Sequence, residues 1–345
     1  MSVTVFSEDE LEALEQKTSL PRFLFVPTGF IGIWMIVNQW PSPWVGEIIG
    51  IALFSYTLLC WTSCFHETAH QTLCSSKSLS IWLGRFLGAA MMAPYSVYRE
   101  SHIRHHAYLN KPYDWELWPY SDPKTSLTFR RIYVWFDLIF GMFTAPYMYG
   151  RIYFHKDSPI TDPKIRKTIG WEYVFGAIFW GVILGFVAYH QAWTLFLKIW
   201  VIPHLITGLL QNGRKLTEHL GMQSYDPLLG TRTVMGDNWL TRFCTYLNFD
   251  IFVHGPHHRH PRVAHNLLVK KMTDYLSQHP DKSYPIYPSY WRATASMLPW
   301  IVRNPGVGMN AGAFSPDQEK DPHVVNFVAD VTVDVLSDRD AVITN

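Results

Sequence analysis

The chain has 345 residues, a net charge of +1, 48% hydrophobic residues and only 17% charged ones. Soluble domains carry roughly a quarter charged residues, and a near-neutral balance excludes a nucleic-acid binder, which needs a strongly basic face. Its 15 Trp and 18 Tyr fit helix ends seated at a membrane–water boundary.

The first 20 residues are polar and acidic and lack the basic, apolar, small-residue order of a secretory signal. They are expected to form an amphipathic helix on the cytosolic side. Four apolar segments follow, roughly 23–40, 45–65, 171–190 and 193–211, each close to the roughly 20 residues that cross a bilayer. They pair as two hairpins. The first turns at Pro41-Ser42-Pro43-Trp44 and the second at His190-Gln191-Ala192-Trp193. Neither turn holds Lys or Arg. Lys17, Arg22, Arg130, Arg131, Arg151, Lys156, Lys164, Arg166 and Lys167 lie on the other side, which the positive-inside rule assigns to the cytoplasm.

Three further apolar stretches are expected to lie in the interface rather than cross it. Residues 80–94 are too short and carry Arg85; residues 129–149 carry Asp137 and Pro146; residues 287–303 present Trp291 and Trp300. The fold class predicted is all-α and integral to the membrane. A single domain spans 1–345: an N-terminal helix (1–20), a first hairpin (23–65), a cytosolic region with interfacial helices (66–170), a second hairpin (171–211), a cytosolic cap (212–310) and a disordered tail (311–345). Cys60, Cys64, Cys74 and Cys244 have neither zinc-ribbon spacing nor the density of a disulfide scaffold, so their expected role is packing.

The histidines carry the chemistry. Eight of the 16 fall in three short clusters: His66 and His70; His102, His105 and His106; His254, His257 and His258. Residues three or four apart share a helix face, so each cluster can present two rings to one ion. Pro256 is tolerated only in a first helical turn, which places His254 at a helix start. With four crossings, all three clusters emerge on the cytoplasmic side. His219, beside Glu218 and after the fourth span, is a ninth candidate. Nine imidazoles exceed the needs of one ion, so two are implied. Glu67, Glu218, Asp114 and Asp250, with Glu100, are candidates to accept the outer ring N–H groups of the ligands. His155, His190, His204, His260, His265, His279 and His323 read as ordinary polar residues.

The order HETAH, HIRHH, HGPHH with Pro261 three residues on resembles the three histidine boxes of the membrane fatty acid desaturase superfamily. The likeness covers roughly residues 20–265. It implies that His66, His70, His102, His105, His106, His254, His257 and His258 hold a centre of two iron ions (Fe2+/Fe3+). It also implies His219 as a further ligand, since Glu218-His219 is similar to a pair found before the third box in several branches. Acyl-CoA desaturases carry Asn four residues before that His; here Lys215 stands there. Asn110 to Glu116 is similar to the Asn-and-acid segment that follows the second box.

The resemblance implies an O2-dependent oxidase, first a fatty acid (acyl-lipid) desaturase that introduces a C=C bond. The alternative on the same site is a hydroxylase or ketolase of a carotenoid or other lipid. No fused cytochrome b5, Rossmann glycine motif or iron–sulfur cysteine set is seen, so an external ferredoxin or cytochrome b5-type donor is expected. A zinc hydrolase uses three or four ligands, and a metal transporter places its ligands near the bilayer midplane; neither matches. The start of the chain and the lack of a retention signal make a bacterial inner membrane the expected location over the endoplasmic reticulum.

Overall fold

The computed structural model describes residues 20–37, 39 and 43–314. The expected N-terminal helix, part of the first turn and nearly all of the tail lie outside these residues. Twelve α-helices and two parallel two-residue strands make up the described chain: α1 (Leu20–Val37), α2 (Pro43–His70), α3 (Lys77–Ala90), α4 (Tyr95–Ala107), α5 (Leu127–Ile139), α6 (Gly141–Phe154), α7 (Pro163–Tyr189), α8 (Trp193–His219), β1 (Thr233–Val234), α9 (Trp239–Leu247), α10 (His254–Arg259), α11 (Leu268–Gln278), β2 (Ile286–Tyr287) and α12 (Tyr290–Arg303). The fold is helical, as expected.

Three helices, α2, α7 and α8, are long and apolar enough to cross a membrane. The fourth expected span is shorter in apolar length: within α1 the run extends over Arg22–Met35 and encloses Pro27. The described chain therefore shows three clear candidate spans where four were expected. The apolar stretches 45–65 and 193–211 lie inside longer helices. Apolarity ends there, but the hydrogen-bonded helix continues, and α2 and α8 run on to His70 and His219. A π-helical turn at Leu197–Val201 interrupts α8.

Only 6% of the most apolar window of α7 is buried against protein, compared with half of that of α2. Trp171, Ile178 and Val182 thus form an apolar flank left exposed among the described residues, a face that is unfavourable in water and favourable in lipid. α2 packs between α1 and α8, and α3 joins α2 to α7.

The 129–149 stretch does not form one long helix. It breaks at Phe140, and α5 and α6 are each about 20 Å long, short of the roughly 30 Å hydrocarbon core. The break brings α6 against α8 at two glycines. A Cβ on Gly141 would meet the Gly208 carbonyl oxygen at 2.5 Å, and one on Gly208 would meet the Met142 nitrogen at 2.6 Å. This close approach carries Asp137, at 1% exposure, to Asn212 (3.0 Å) and Lys215 (2.8 Å) on α8. α3 and α12 are likewise 14-residue helices over the other two stretches expected to be interfacial.

Candidate metal centre

The inner end of α2 carries His66 and His70, α4 carries the second cluster, α8 ends on His219, and α10 is built from the third cluster with Pro256 in its first turn. All nine rings come together. Eight are 0–4% exposed, and His70 is partly buried. Two sets form. His66, His70, His102, His106 and His257 place one ligand atom each within 4.8 Å of one another. His105, His219 and His258 form a second group, extended by Glu218 and His254 through the shared His219.

Helix phase permits the division, and the placement of α4 against α10 selects it. His102 and His106 are four apart and serve the first set, whereas His105 turns to the second. His254 and His258 repeat the four-residue spacing in the second set, and His257 turns to the first. Boxes two and three therefore each supply both sets.

The donor set fits metal ions. Nε2 of His102 lies 3.1 Å from Nε2 of His70 and 3.2 Å from that of His106; Nε2 of His254 lies 2.9 Å from that of His219 and 3.1 Å from that of His258. Two nitrogens at about 2.1 Å from one ion and at right angles stand about 3.0 Å apart. Among the described residues, Nε2 of His66, Nε2 of His257 and Oε1 of Glu218 are buried without a hydrogen-bond partner. Each such atom costs about 1–3 kcal/mol unless something binds it.

Three of the outer nitrogens are oriented by carboxylates. Nδ1 of His66 meets Glu67 Oε1 at 3.1 Å, Nδ1 of His102 meets Glu116 Oε2 at 3.0 Å, and Nδ1 of His105 meets Asp114 Oδ2 at 2.8 Å. Such contacts fix the tautomer and turn Nε2 inward. Burial alone would lower the charged state of His105, but Asp114 outweighs it and holds that ring above its ordinary range. Burial opposes ionisation of Glu116 too, yet the His102 ring holds its carboxyl below the usual value. The remaining rings outside the long helices, His106, His254, His257 and His258, are pushed well down by burial.

Three carboxylates take other places than expected. Glu218 is not behind a ligand; its Oε2 stands 3.5 Å from the Nε2 of His254, at the inward face. Asp250 does not touch the cage. Its Oδ2 meets Nδ1 of His265 at 2.9 Å and the Arg22 guanidinium at 3.4 Å, because Phe249 and Asp250 both adopt positive φ (55° and 54°) and turn the side chain away. Glu100 pairs with Arg104. Glu116 escaped the sequence reading as a ring partner although it stands two residues after Asp114; the bend between them, which aims both at α4, has no periodic signature. His265 and His260 stay outside the cage, His260 on the Tyr275 hydroxyl at 2.7 Å.

A cavity of about 110 Å³ adjoins the rings, lined by His66, His102, Tyr149, Asp137 and Lys215. α5 and α6 supply part of its wall, and α3 does not reach it. Phe86 and Ala90 of α3 line a second, almost wholly apolar cavity of about 400 Å³ among α1, α2, α7 and α8. Asp114→Asn should reduce metal affinity or turnover by roughly 10–100-fold, read by iron content after gel filtration; unchanged content and rate would show that His105 needs no partner.

Helices with membrane-length apolar runs converge on a buried cage of nine imidazoles whose two sets could each hold a metal ion. Residues 38–291 match the family described as fatty acid desaturase, and the chain belongs to that family. It is 24% identical over 301 residues to the chloroplastic omega-6 fatty acid desaturase of Glycine max, covering 79% of this chain and 66% of that protein. It is 24% identical over 257 residues to the endoplasmic reticulum omega-3 fatty acid desaturase of Vigna radiata var. radiata, covering 64% of each. A 153-residue stretch is 25% identical to the sn-1 acyl-lipid omega-3 desaturase (ferredoxin) of Synechocystis sp., covering 41% of each. The matched stretches span about two thirds of these relatives' length or less.

Proposed function

We propose that this chain is an acyl-lipid desaturase that holds two irons and removes two hydrogens from neighbouring carbons of a fatty acyl chain. The observation that carries this reading is the convergence of nine imidazoles into two linked sets, in a chain of the desaturase family. His66, His70, His102, His106 and His257 would hold one ion. His105, His219, His254 and His258, with Glu218, would hold the other. When bound, the irons supply activation of O2 and hydrogen abstraction from an unactivated methylene.

The protein's residues do the rest. Glu67, Glu116 and Asp114 hold ring N–H groups so that the opposite nitrogens face inward. The Asp137–Asn212–Lys215 network lines the cavity and fixes its polar side chains in place. The apolar cavity among the long helices offers hydrocarbon a dry surface. The overall balance is O2, two electrons and two protons in, with the two substrate hydrogens leaving as part of two waters. The electrons come from a separate carrier; the Synechocystis relative is named for ferredoxin.

Four crossings in two hairpins, with α1 as the first, would put every box on the cytoplasmic side of one membrane-embedded domain. A bacterial inner membrane is the location we propose; the cyanobacterial relative supports it, although another relative is named for the endoplasmic reticulum. Expression in a host of defined lipid composition, followed by mass spectrometry of fatty acids and pigments, tests the activity. A product two hydrogens lighter, absent with His66→Ala, is expected. A gain of oxygen instead would transfer the assignment to a hydroxylase or ketolase.

A further inference from the structure

We infer that α9, the short helix just before the third histidine cluster, is immersed in the membrane leaflet on the histidine side, with Trp239, Leu240, Phe243 and Tyr246 facing lipid. These four side chains are 48–76% exposed, on a helix capped by Asn238. They form one arc at helical spacing. In water, such an exposed apolar face would be a liability.

Depth identifies what covers it. Leu247, at the end of α9, is buried in one cluster with Val26 of α1 and Cys60 of α2. The next residue, Asn248, donates to the Tyr56 hydroxyl at 3.2 Å and accepts from Ser63 at 3.0 Å. Cys60 lies ten residues before His70 on α2, about 15 Å from that end of the helix. Counted from Pro43, the roughly 30 Å of hydrocarbon extends about 20 residues, to the region of Ser63. Tyr56 and Cys60 fall inside that thickness, so the end of α9 packs beside a membrane-crossing helix below the lipid surface. At the rim, Arg22 donates to the Tyr246 carbonyl at 3.1 Å and its guanidinium stacks 3.8 Å from the Tyr246 ring centre. Arg242, paired with Asp237 at 2.7 Å, sits at the edge of the apolar arc, where a long cation reaches headgroups.

The inference rests on α2 crossing the bilayer and is independent of the reaction catalysed. Full-length protein with Cys244→Ser would carry single nitroxide labels at Trp239→Cys, Phe243→Cys or Asp237→Cys in phosphatidylcholine–phosphatidylglycerol liposomes, with Val182→Cys on α7 as the crossing control. Collisions with O2 should exceed those with a water-soluble nickel chelate at 239, 243 and 182, and the order should reverse at 237. If 182 reads as lipid-exposed while 239 and 243 read as aqueous, the inference falls and the crossing stands. If 182 also reads as aqueous, the crossing and the inference fall together. Unaltered protein photolabelled with a chain-diazirine phosphatidylcholine gives an answer that needs no substitution. Adducts on 239–246 are expected; adducts on α7 alone would overturn the inference.

Discussion

His257→Ala is expected to leave the purified protein with one iron or none per chain and to lower turnover by more than about 100-fold, beyond the 10–100-fold typical of losing a ligand's hydrogen-bond partner. His257 is the only contribution of the third cluster to the five-membered set, and its buried Nε2 has no other partner in the described residues. Its ring stands 4.5 Å, centre to centre, from His66 and 4.8 Å from His70, so one residue ties α10 to α2. Elemental analysis paired with fatty acid profiling checks this. Two irons with full activity in the variant would mean that the five-membered set is not a metal site.

Stripping the metal is expected to lower the melting temperature by roughly 10 °C. An ion present at a thousand times its Kd stabilises the folded state by about 4 kcal/mol, and two are at stake. The stripped protein should also become acid-sensitive. His106, His254, His257 and His258 are held well below their ordinary values by burial, so the folded state refuses protons that the unfolded chain accepts. Stability is then unaffected above the unfolded value of about 6.5 and falls as pH drops below it. His105, raised by Asp114, pulls the other way but is one ring against four. Melting scans of metal-free and metal-loaded protein between pH 5 and about 8 measure both effects. Coincident curves at every pH would exclude a metal role for the cage.

Much of the site could be read before any fold was known, because imidazoles at three- and four-residue spacing have few uses other than metal binding. The assignment of each ring to a set could not. Positions i+3 and i+4 share a face, and only the placement of α4 against α10 separates His105 from His106 and His257 from His258. Helix ends were misjudged for a related reason. Hydropathy falls off after residues 65 and 211, whereas backbone hydrogen bonding in α2 and α8 persists to the ligands themselves. The break at Phe140 brings Gly141 against Gly208, 67 positions apart, a contact that no local pattern encodes. Asp250 was named for its charge and proximity; the two left-handed residues that redirect it leave no trace in composition. α9 passed unnoticed because nine residues are too few to register as a membrane element until Leu247 is seen against Cys60.

The interleaving of the second and third clusters bears on biogenesis. When the ribosome has made residue 219, six of the nine imidazoles exist, yet neither set is complete: one still awaits His257 and the other His254 and His258. On the proposed two-iron reading, metal insertion would be a late event, gated by the arrival of a six-residue helix more than 180 residues after the first ligand. A chain truncated or stalled before that point would have no finished place to keep iron.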